Sequence, residues 1–389
     1  MPFLFLALLV LAEPNLAEIR LSGYAKSTLL VNKVEKAPHL DFSTSYEAQN
    51  NFRIMLDGFQ NNLTWEVHYE LTPILNSQIS LSSSFESRNF SYRAYDLNET
   101  LSTRKRKNKI LQNLDRLNVQ FQFEDSDLTI GRQSIDLGSA RMIKPTDIFS
   151  PFDLQTINTE YRIGVDAFRY QRHLSELSEI DVGVIFGSKG KYENSAAYLR
   201  IQKNFHGADL KASIIEYARQ TLYSFGIERS IKKSGFWFEV GDVQGDEHYT
   251  LISLGLDRAL SKTLFAQIEY HHNGAGTADP LAYPRKINEI AYRKGGVTLF
   301  GKDYLLPSIS AQISPLFNLS FGAVFNLTDN SSFISLLGEW SATENLYIDL
   351  GWYHFSGSDF LELPSGNFTL GSEYGLNSDS VFTTLKYYF

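Results

Sequence analysis

From Ile19 onward the chain alternates, and that alternation limits what it can fold into. Leu63, Trp65, Val67, Tyr69 and Leu71 interleave with Thr64, Glu66, His68, Glu70 and Thr72. Leu117, Val119, Phe121 and Phe123 do the same with Asn118, Gln120, Gln122 and Glu124. Ile180, Val182, Val184 and Phe186 keep the spacing, as do Leu319 to Phe325 and Leu346 to Trp352. A period of two places the apolar set on one face of a strand and the polar set on the other. Each segment is about ten residues long, which is what a tilted strand needs to cross a bilayer. A soluble sandwich would also alternate, so the connections must decide.

Eighteen strand candidates begin near residues 18, 46, 63, 112, 126, 160, 177, 193, 207, 219, 233, 247, 261, 300, 316, 331, 344 and 380. Every second gap is turn-like, for example Gln60-Asn61-Asn62, Phe205-His206-Gly207, Ser314-Pro315 and Thr343-Glu344-Asn345. The long gaps, 35–45, 76–111, 138–159, 276–299 and 357–379, all fall among the others. Short turns at one rim and long loops at the other, with an even strand count, describe a transmembrane antiparallel β-barrel with short periplasmic turns and long extracellular loops. In hydrocarbon every backbone donor and acceptor must be paired, and a closed sheet achieves this without an open edge. The sequence therefore predicts an all-β fold, one barrel over residues 18–389, with no second domain.

The chain closes on Val381-Phe382-Thr383-Thr384-Leu385-Lys386-Tyr387-Tyr388-Phe389. Phe389, Tyr387, Leu385, Thr383 and Val381 share one face. This stretch resembles the closing strand of bacterial outer-membrane β-barrels. The resemblance implies that Leu385, Tyr387 and Phe389 form the signal read by the barrel-assembly machinery. The 28 Phe, 21 Tyr and 4 Trp suit interfacial girdles, with Trp65, Tyr69, Trp340, Trp352 and Tyr387 at strand ends.

Other classes are excluded or weakened by composition. The net charge of −8 argues against a nucleic-acid partner, and there is no cysteine to build a disulfide or thiolate metal site. Residues 3–12 read as the apolar region of a secretory signal, with cleavage after Ala12 or Ala17, so that residues 1–17 are expected to be removed. Glu269, His271 and His272 suggest a metal, but the two histidines point to opposite faces of a strand, and no metal or other cofactor is expected. No Gly-x-Ser-x-Gly elbow, phosphate loop or dinucleotide fingerprint occurs, so an enzyme is not expected.

The most distinctive stretch runs from Leu128 through Gly131-Arg132-Gln133 and Asp136 to Gly138. It continues with Asp147-Ile148-Phe149-Ser150-Pro151-Phe152-Asp153, then Tyr161-Arg162-Ile163-Gly164-Val165-Asp166-Ala167-Phe168-Arg169. It resembles a feature of Gram-negative outer-membrane barrels of the porin and alginate-export-like type. The apolar parity flips between Ile130 and Ile135 and again between Val165 and Phe168. A bulge near Gly131 would restore one lipid face. Two flips beside a long loop predict that residues 138–159 fold inward and narrow the lumen, with Phe149 and Phe152 docked on the wall. Arg132, Gln133, Asp136, Asp147, Arg162, Asp166 and Arg169 are then candidates for pore lining, a charged constriction, or anchors that pair only with each other. The polar positions Glu66, His68, Glu70, Arg116, Gln120, Arg200, Lys211, Gln267, Glu269, His271, Glu339, Asp349 and Lys386 fit a wet lumen. The function implied is passive diffusion of small hydrophilic solutes across a lipid outer membrane. Export of an anionic polysaccharide, a barrel enzyme and a plugged structural barrel are the alternatives.

Overall fold

The computed structural model of the protein describes residues 18–33, 44–77, 91–96, 108–151, 160–358, 360–362 and 368–389. The expected signal segment 1–17 and residues 152–159, with Phe152, lie outside them. The described residues form β1 (Glu18–Lys33), β2 (Ser45–Gln60), β3 (Leu63–Asn76), β4 (Asn108–Gln122), β5 (Ser126–Gln133) and β6 (Val165–Ser175). There follow β7 (Ser178–Phe186), β8 (Ala196–Phe205), β9 (Ala208–Tyr217), β10 (Gln220–Ile231), β11 (Ser234–Gly245) and β12 (Tyr249–Ala259). The remainder are β13 (Leu264–Asn273), β14 (Asp303–Ser314), β15 (Phe317–Asn326), β16 (Ser332–Ser341), β17 (Leu346–Ser356), a small ribbon of β18 (Phe360–Glu362) and β19 (Phe368–Leu370), and the closing β20 (Asp379–Tyr388).

Eighteen of these strands form one antiparallel sheet that closes on itself. β20 pairs with β17 on one side and β1 on the other. At the seam the Phe389 amide donates to the Gly23 carbonyl at 3.0 Å, and the Gly23 amide donates to Phe389 at 2.9 Å. The strands fall where the alternation places them. The largest offsets are β4, which starts at Asn108, and β6, which starts at Val165. Short turns and long loops segregate to opposite rims. Two connections on the long-loop rim are also tight, Ala218-Arg219 and residues 246–248.

Parity sorts the side chains as a barrel in lipid requires. On β20, Val381, Leu385, Tyr387 and Phe389 are 48–51% exposed on the outer face, whereas Phe382 and Thr384 are buried inside. Trp340, Trp352 and Tyr387 lie exposed on the outer surface, and Trp65 and Tyr69 are half-buried there. The inner face carries buried polar groups that would each cost several kcal/mol without partners, about the price of an unmade hydrogen bond or more. Partners are present. Tyr24 donates to Glu70 at 2.6 Å, Arg53 to Asp115 at 2.7 Å, and Asn118 to Glu66 at 2.9 Å.

The expected bulge near Gly131 takes another form. Gly131 has φ +116°, and a Cβ there would lie 2.2 Å from the Leu117 carbonyl oxygen, so only glycine fits. Pairing with β4 nonetheless runs in register from Asp127 to Arg132. The extra residue sits one strand away. His68 faces Arg116 and Tyr69 faces Leu114, so Asp115 is unmatched and both Asp115 and Arg116 turn inward. β5 ends at Gln133, and Ile135 and Leu137 do not continue the lipid face. They turn into the lumen and are 1% and 3% exposed.

The seam yields the first prediction. Deleting Phe389 removes both backbone bonds to Gly23, and we expect less heat-modifiable barrel in the membrane fraction, read on unboiled gels. Unchanged amounts would show that Leu385 and Tyr387 suffice for assembly.

Candidate functional site

The segment after β5 crosses the inside of the barrel and docks on the far wall. What holds it is a set of wall groups, chiefly carboxylates, that accept its backbone amides. Glu239 on β11 accepts from Ser139 N at 2.5 Å, Ala140 N at 2.7 Å, Thr146 N at 3.0 Å and the Thr146 hydroxyl at 2.7 Å. Glu269 on β13 accepts from Arg141, Met142 and Ile143 amides at 2.8–3.2 Å and from the Trp237 indole at 2.7 Å. Lys211 donates to the Gly138 carbonyl and Arg200 to that of Asp136. A loop without secondary structure leaves its amides unpaired, and a buried carboxylate with two oxygens can satisfy several at once.

Aromatic and aliphatic side chains complete the docking. Phe149 is 2% exposed, with its ring centroid 5.1 Å from that of Tyr92 and 6.1 Å from that of Tyr198. Ile135, Leu137 and Ile148 pack with Val165, Ile185, Ile215, Leu222, Val243 and Leu251 of the wall. A second inward loop, 274–302, joins the same cluster through Ala275 and Ala291. The two loops touch at Gly296, whose φ of +75° and approach to the Asp147 carbonyl, 2.3 Å from any Cβ, exclude a side chain. The barrel interior on the β6–β13 side is therefore a hydrophobic core.

Among the described residues, open space lies against the opposite wall. A cavity of about 300 Å³ is lined by Lys26, Thr28, Gln49, Asn51, Glu339, Asp349, Tyr353, Phe382, Thr384, Lys386 and Tyr388, and by Glu160 from the inward segment. Lys26 and Lys386 are directly opposed across the seam. Lys26 is ion-paired with Glu160, and Lys386 with Asp349 at 2.6 Å and Glu339 at 2.9 Å. Tyr388 also donates to Glu160 at 3.0 Å. The inward segment thus reaches both walls. Tyr161 stacks with Tyr24, and Arg53 sits 4.1 Å over its ring.

The residues singled out in the sequence occupy three settings. Arg132 is buried and donates to both oxygens of Asp166 at 2.7 and 3.0 Å and to the carbonyls of Leu114 and Tyr95. Gln133 is buried within the wall and donates to the carbonyls of Thr129, Gly131 and Ala167. Arg169 forks onto Asp181 at 3.0 and 2.7 Å. Asp136, Asp147, Arg162 and Lys144 form a cluster inside the inward segment. Arg162 holds both Asp147 oxygens at 2.7 and 2.8 Å, and Lys144 reaches Asp136 at 2.5 Å. Burial pushes the Asp147 carboxyl up to about 7, against the pull of Arg162. Burial also opposes ionisation of Asp136, but Lys144 and Arg162 hold it below the usual range. Sequence reasoning placed Glu339, Asp349 and Lys386 in the lumen but missed Lys26 and Glu160. Parity marks Lys26 as inward, whereas Glu160 lies in a loop and carries no such mark.

His68, His271, His272 and the buried Ser253 are engaged by neighbouring side chains. His271 and Ser253 are 2.8 Å apart, but Ser253 is 0% exposed and its hydroxyl donates to the Ile143 carbonyl at 2.6 Å, so this pair anchors the loop. His272 pairs with Asp303 on the other face. The ligand-type atoms of Asp57, Glu66 and His68 lie within 4.8 Å of one another. Arg53 faces the His68 Nδ1 at 3.4 Å, which leaves the Nε2 proton for Asp57 at 2.8 Å and favours a hydrogen-bonded pair over ligation.

No sequence-family profile matches the chain, and no curated protein matches it. Solved structures do. OccK9 (OpdG) of Pseudomonas aeruginosa superposes with a TM-score of 0.59 at 10% identity, covering 96% of this chain and 98% of that one. The chain has the fold of an outer-membrane porin. A BenF-like porin from Pseudomonas fluorescens Pf-5 gives 0.59 at 8% identity over 96% and 98% of the two chains. OccAB4 of Acinetobacter baumannii gives 0.58 at 9% over 97% and 100%. At these identities the likeness is one of fold.

The docking geometry sets two predictions. Glu239→Ala with Glu269→Ala strips the loop of its amide acceptors, each hydrogen bond being worth about 0.5–1.5 kcal/mol. Single-channel conductance should rise while the barrel stays folded, and an unchanged conductance would mean the loop is held elsewhere. Arg132→Ala should instead cost about 3–5 kcal/mol by stranding Asp166. It should lower the melting temperature and leave the reversal potential in a salt gradient unmoved.

A further prediction concerns pH. Glu373, in the last long loop, accepts from Tyr304 at 2.5 Å, Asn326 at 2.7 Å and the Phe300 amide at 2.8 Å, and so ties that loop to 274–302. Burial, helped by nearby Asp329, pushes its carboxyl up to about 7. A raised folded pKa means that the stabilisation is complete below the unfolded value of about 4.3 and is lost as pH rises through about 7. Current noise should therefore grow between about pH 4 and about pH 7 and level off above it, and Glu373→Gln should flatten that rise. Noise independent of pH in the wild type would refute the latch.

Proposed function

We propose that the chain is an outer-membrane channel for passive diffusion of small hydrophilic solutes, narrowed by its 138–159 loop. One observation carries this reading. The segment after β5 fills one side of the lumen and leaves, against the other, a cavity of about 300 Å³ lined by charged and hydroxyl groups. At ~30 Å³ per molecule that is roughly ten waters, room for a small hydrated solute but not for a folded chain. Short turns, the start of β1 and the end of β20 face the periplasm, long loops the exterior, and lipid surrounds the apolar belt. Leu385, Tyr387 and Phe389 serve as the signal to the assembly machinery.

The charges of the passage favour diffusion over polyanion export. Glu160, Glu339 and Asp349 outnumber Lys26 and Lys386, so the narrow part does not attract a polyanion. In this reading Arg132, Gln133, Asp166 and Arg169 support the wall, while Asp136, Asp147 and Arg162 shape the constricting loop. The chemistry is passage without reaction, since the buried Ser253–His271 pair is committed to the loop.

Planar-bilayer recording on refolded protein tests the proposal. We expect steady ohmic conductance with a modest cation preference. Lys386→Ala should shift the reversal potential further toward cations, and Glu160→Gln toward anions. Strong anion preference in the wild type would favour the exporter, and no conductance at all would end the diffusion reading.

A further inference from the structure

The outer face carries a charge pattern that neither folding nor the lumen uses. Four alternate strands, β6, β8, β10 and β12, end in the same outward series. They read Phe168-x-Tyr170-x-Arg172-x-Leu174, Leu199-x-Ile201-x-Lys203-x-Phe205, Phe225-x-Ile227-x-Arg229-x-Ile231 and Leu254-x-Leu256-x-Arg258-x-Leu260. Direct cross-strand partners share a face, and the partners agree. Arg172 lies opposite Ile180, Lys203 opposite Leu210, Arg229 opposite Phe236 and Arg258 opposite Ala266. All four cations are exposed, as are the apolar residues on either side of each, except Ile227, which is half-buried.

None of the four makes an ion pair with any described residue. The acids of the same strand ends turn the other way and are occupied. Glu179 pairs with Arg200, Glu228 with Lys211, and Asp257 with Arg141, while Asp209 accepts from Asn204. Glu176, in the turn after Arg172, forms no ion pair with it. The pattern is also confined to one arc. On β4, β16 and β20 the equivalent outward positions are Phe121 before Phe123, Gly338 before Trp340, and Tyr387 before Phe389.

The cations sit within four residues of the short turns, which at ~3.3 Å per tilted residue is within roughly 10 Å of that rim. Alternate strands put them about 10 Å apart. An unpaired cation there, flanked by apolar side chains above and below, is badly placed for hydrocarbon and well placed for a phosphate, which its long stem reaches by snorkelling. We propose that this arc of the periplasmic rim binds anionic phospholipid, the acyl chains lying on the apolar rows and the headgroup phosphates on Arg172, Lys203, Arg229 and Arg258. The exposed turn residues Lys232, Lys233 and Lys262 extend the same positive field. The assignment of this rim to the periplasm rests on the outer-membrane reading above.

Native mass spectrometry of the full barrel tests it, with phosphatidylglycerol and phosphatidylcholine offered in equal amounts. One cation near a headgroup is worth about fivefold, so the wild type should retain the anionic lipid at least fivefold over the zwitterionic one. The variant Arg172→Gln, Lys203→Gln, Arg229→Gln, Arg258→Gln should lose most of that preference, keeping only what the turn lysines supply. A charge-keeping variant, Arg172→Lys, Arg229→Lys, Arg258→Lys, should behave as wild type, and loss of preference there would overturn the proposal. So would equal retention of both lipids by the wild type, which would leave the arc to an acidic protein at the rim, or an undiminished preference in the glutamine variant. Conductance is read on the same samples. None of the four side chains faces the lumen, so it should not change among them, and its absence in the wild type would count against the channel without touching the lipid result.

Discussion

The structure depends on pairing every backbone group in a medium that offers no water. A barrel meets that demand by closing β1 on β20, and closure then dictates the rest. Once the edge is gone, each strand has one face for lipid and one for the interior. The apolar residues that a soluble protein would bury are here the exposed ones, and Leu350 at 63% and Leu21 at 60% belong on the outside. The polar residues are the buried ones, and they must find partners among themselves. The Arg53–Asp115 and Lys386–Asp349 contacts follow from that inversion rather than from any need for stabilisation.

The same demand explains how the loops enter the lumen. An irregular segment brings its own unpaired amides, and neither lipid nor another strand can take them. The wall supplies Glu239 and Glu269, and Glu247 does the same for Ile290 and Ala291 at 2.7 and 3.0 Å. Each carboxylate is surrounded by donors, so the cost of burying it is met by several short bonds at once. Hydrophobic packing around Phe149 then excludes water from those bonds. Electrostatic docking and apolar packing are here one event, because neither the amides nor the aromatic rings would be stable inside the barrel alone.

Much of the fold was legible in the sequence because period-two alternation and the segregation of long gaps are written directly in residue order. The inward course of the loop was legible too, through the parity flips at Ile130 and Val165. The partners were not. Parity says that Glu239 and Glu269 face the lumen, but an inward glutamate meets water, a cation or a loop amide with equal ease on paper. Only the three-dimensional course of residues 138–146 distinguishes them. The bulge was assigned to Gly131 because glycine and a flip coincide there, yet the extra residue is Asp115, which shows no break in composition. Glu160 and Lys26 were beyond reach for a related reason. They are 134 residues apart and meet only because the loop returns to the seam.

The barrel that results is not uniform around its axis. From β6 to β13 the inside is packed with loop and hydrophobic core, and the outside of its even-numbered strands carries cations at the turn rim. From β16 through β20 to β2 the described residues enclose a charged cavity inside, and the outside ends in Trp340, Tyr387 and Phe389. The wall backed by the packed core carries outside the four exposed cations that make no ion pair with a described residue. The wall that lines the cavity carries its polar residues inside, and aromatic rings lie exposed at its outer edge. Filling one side of the lumen therefore does more than narrow it, since it leaves the cavity at the seam, where β20 brings Lys386 beside Asp349 and Lys26 is ion-paired with Glu160. The strand that completes the barrel is thus also a strand that lines its cavity, and closure and the charge of that cavity rest on the same strand.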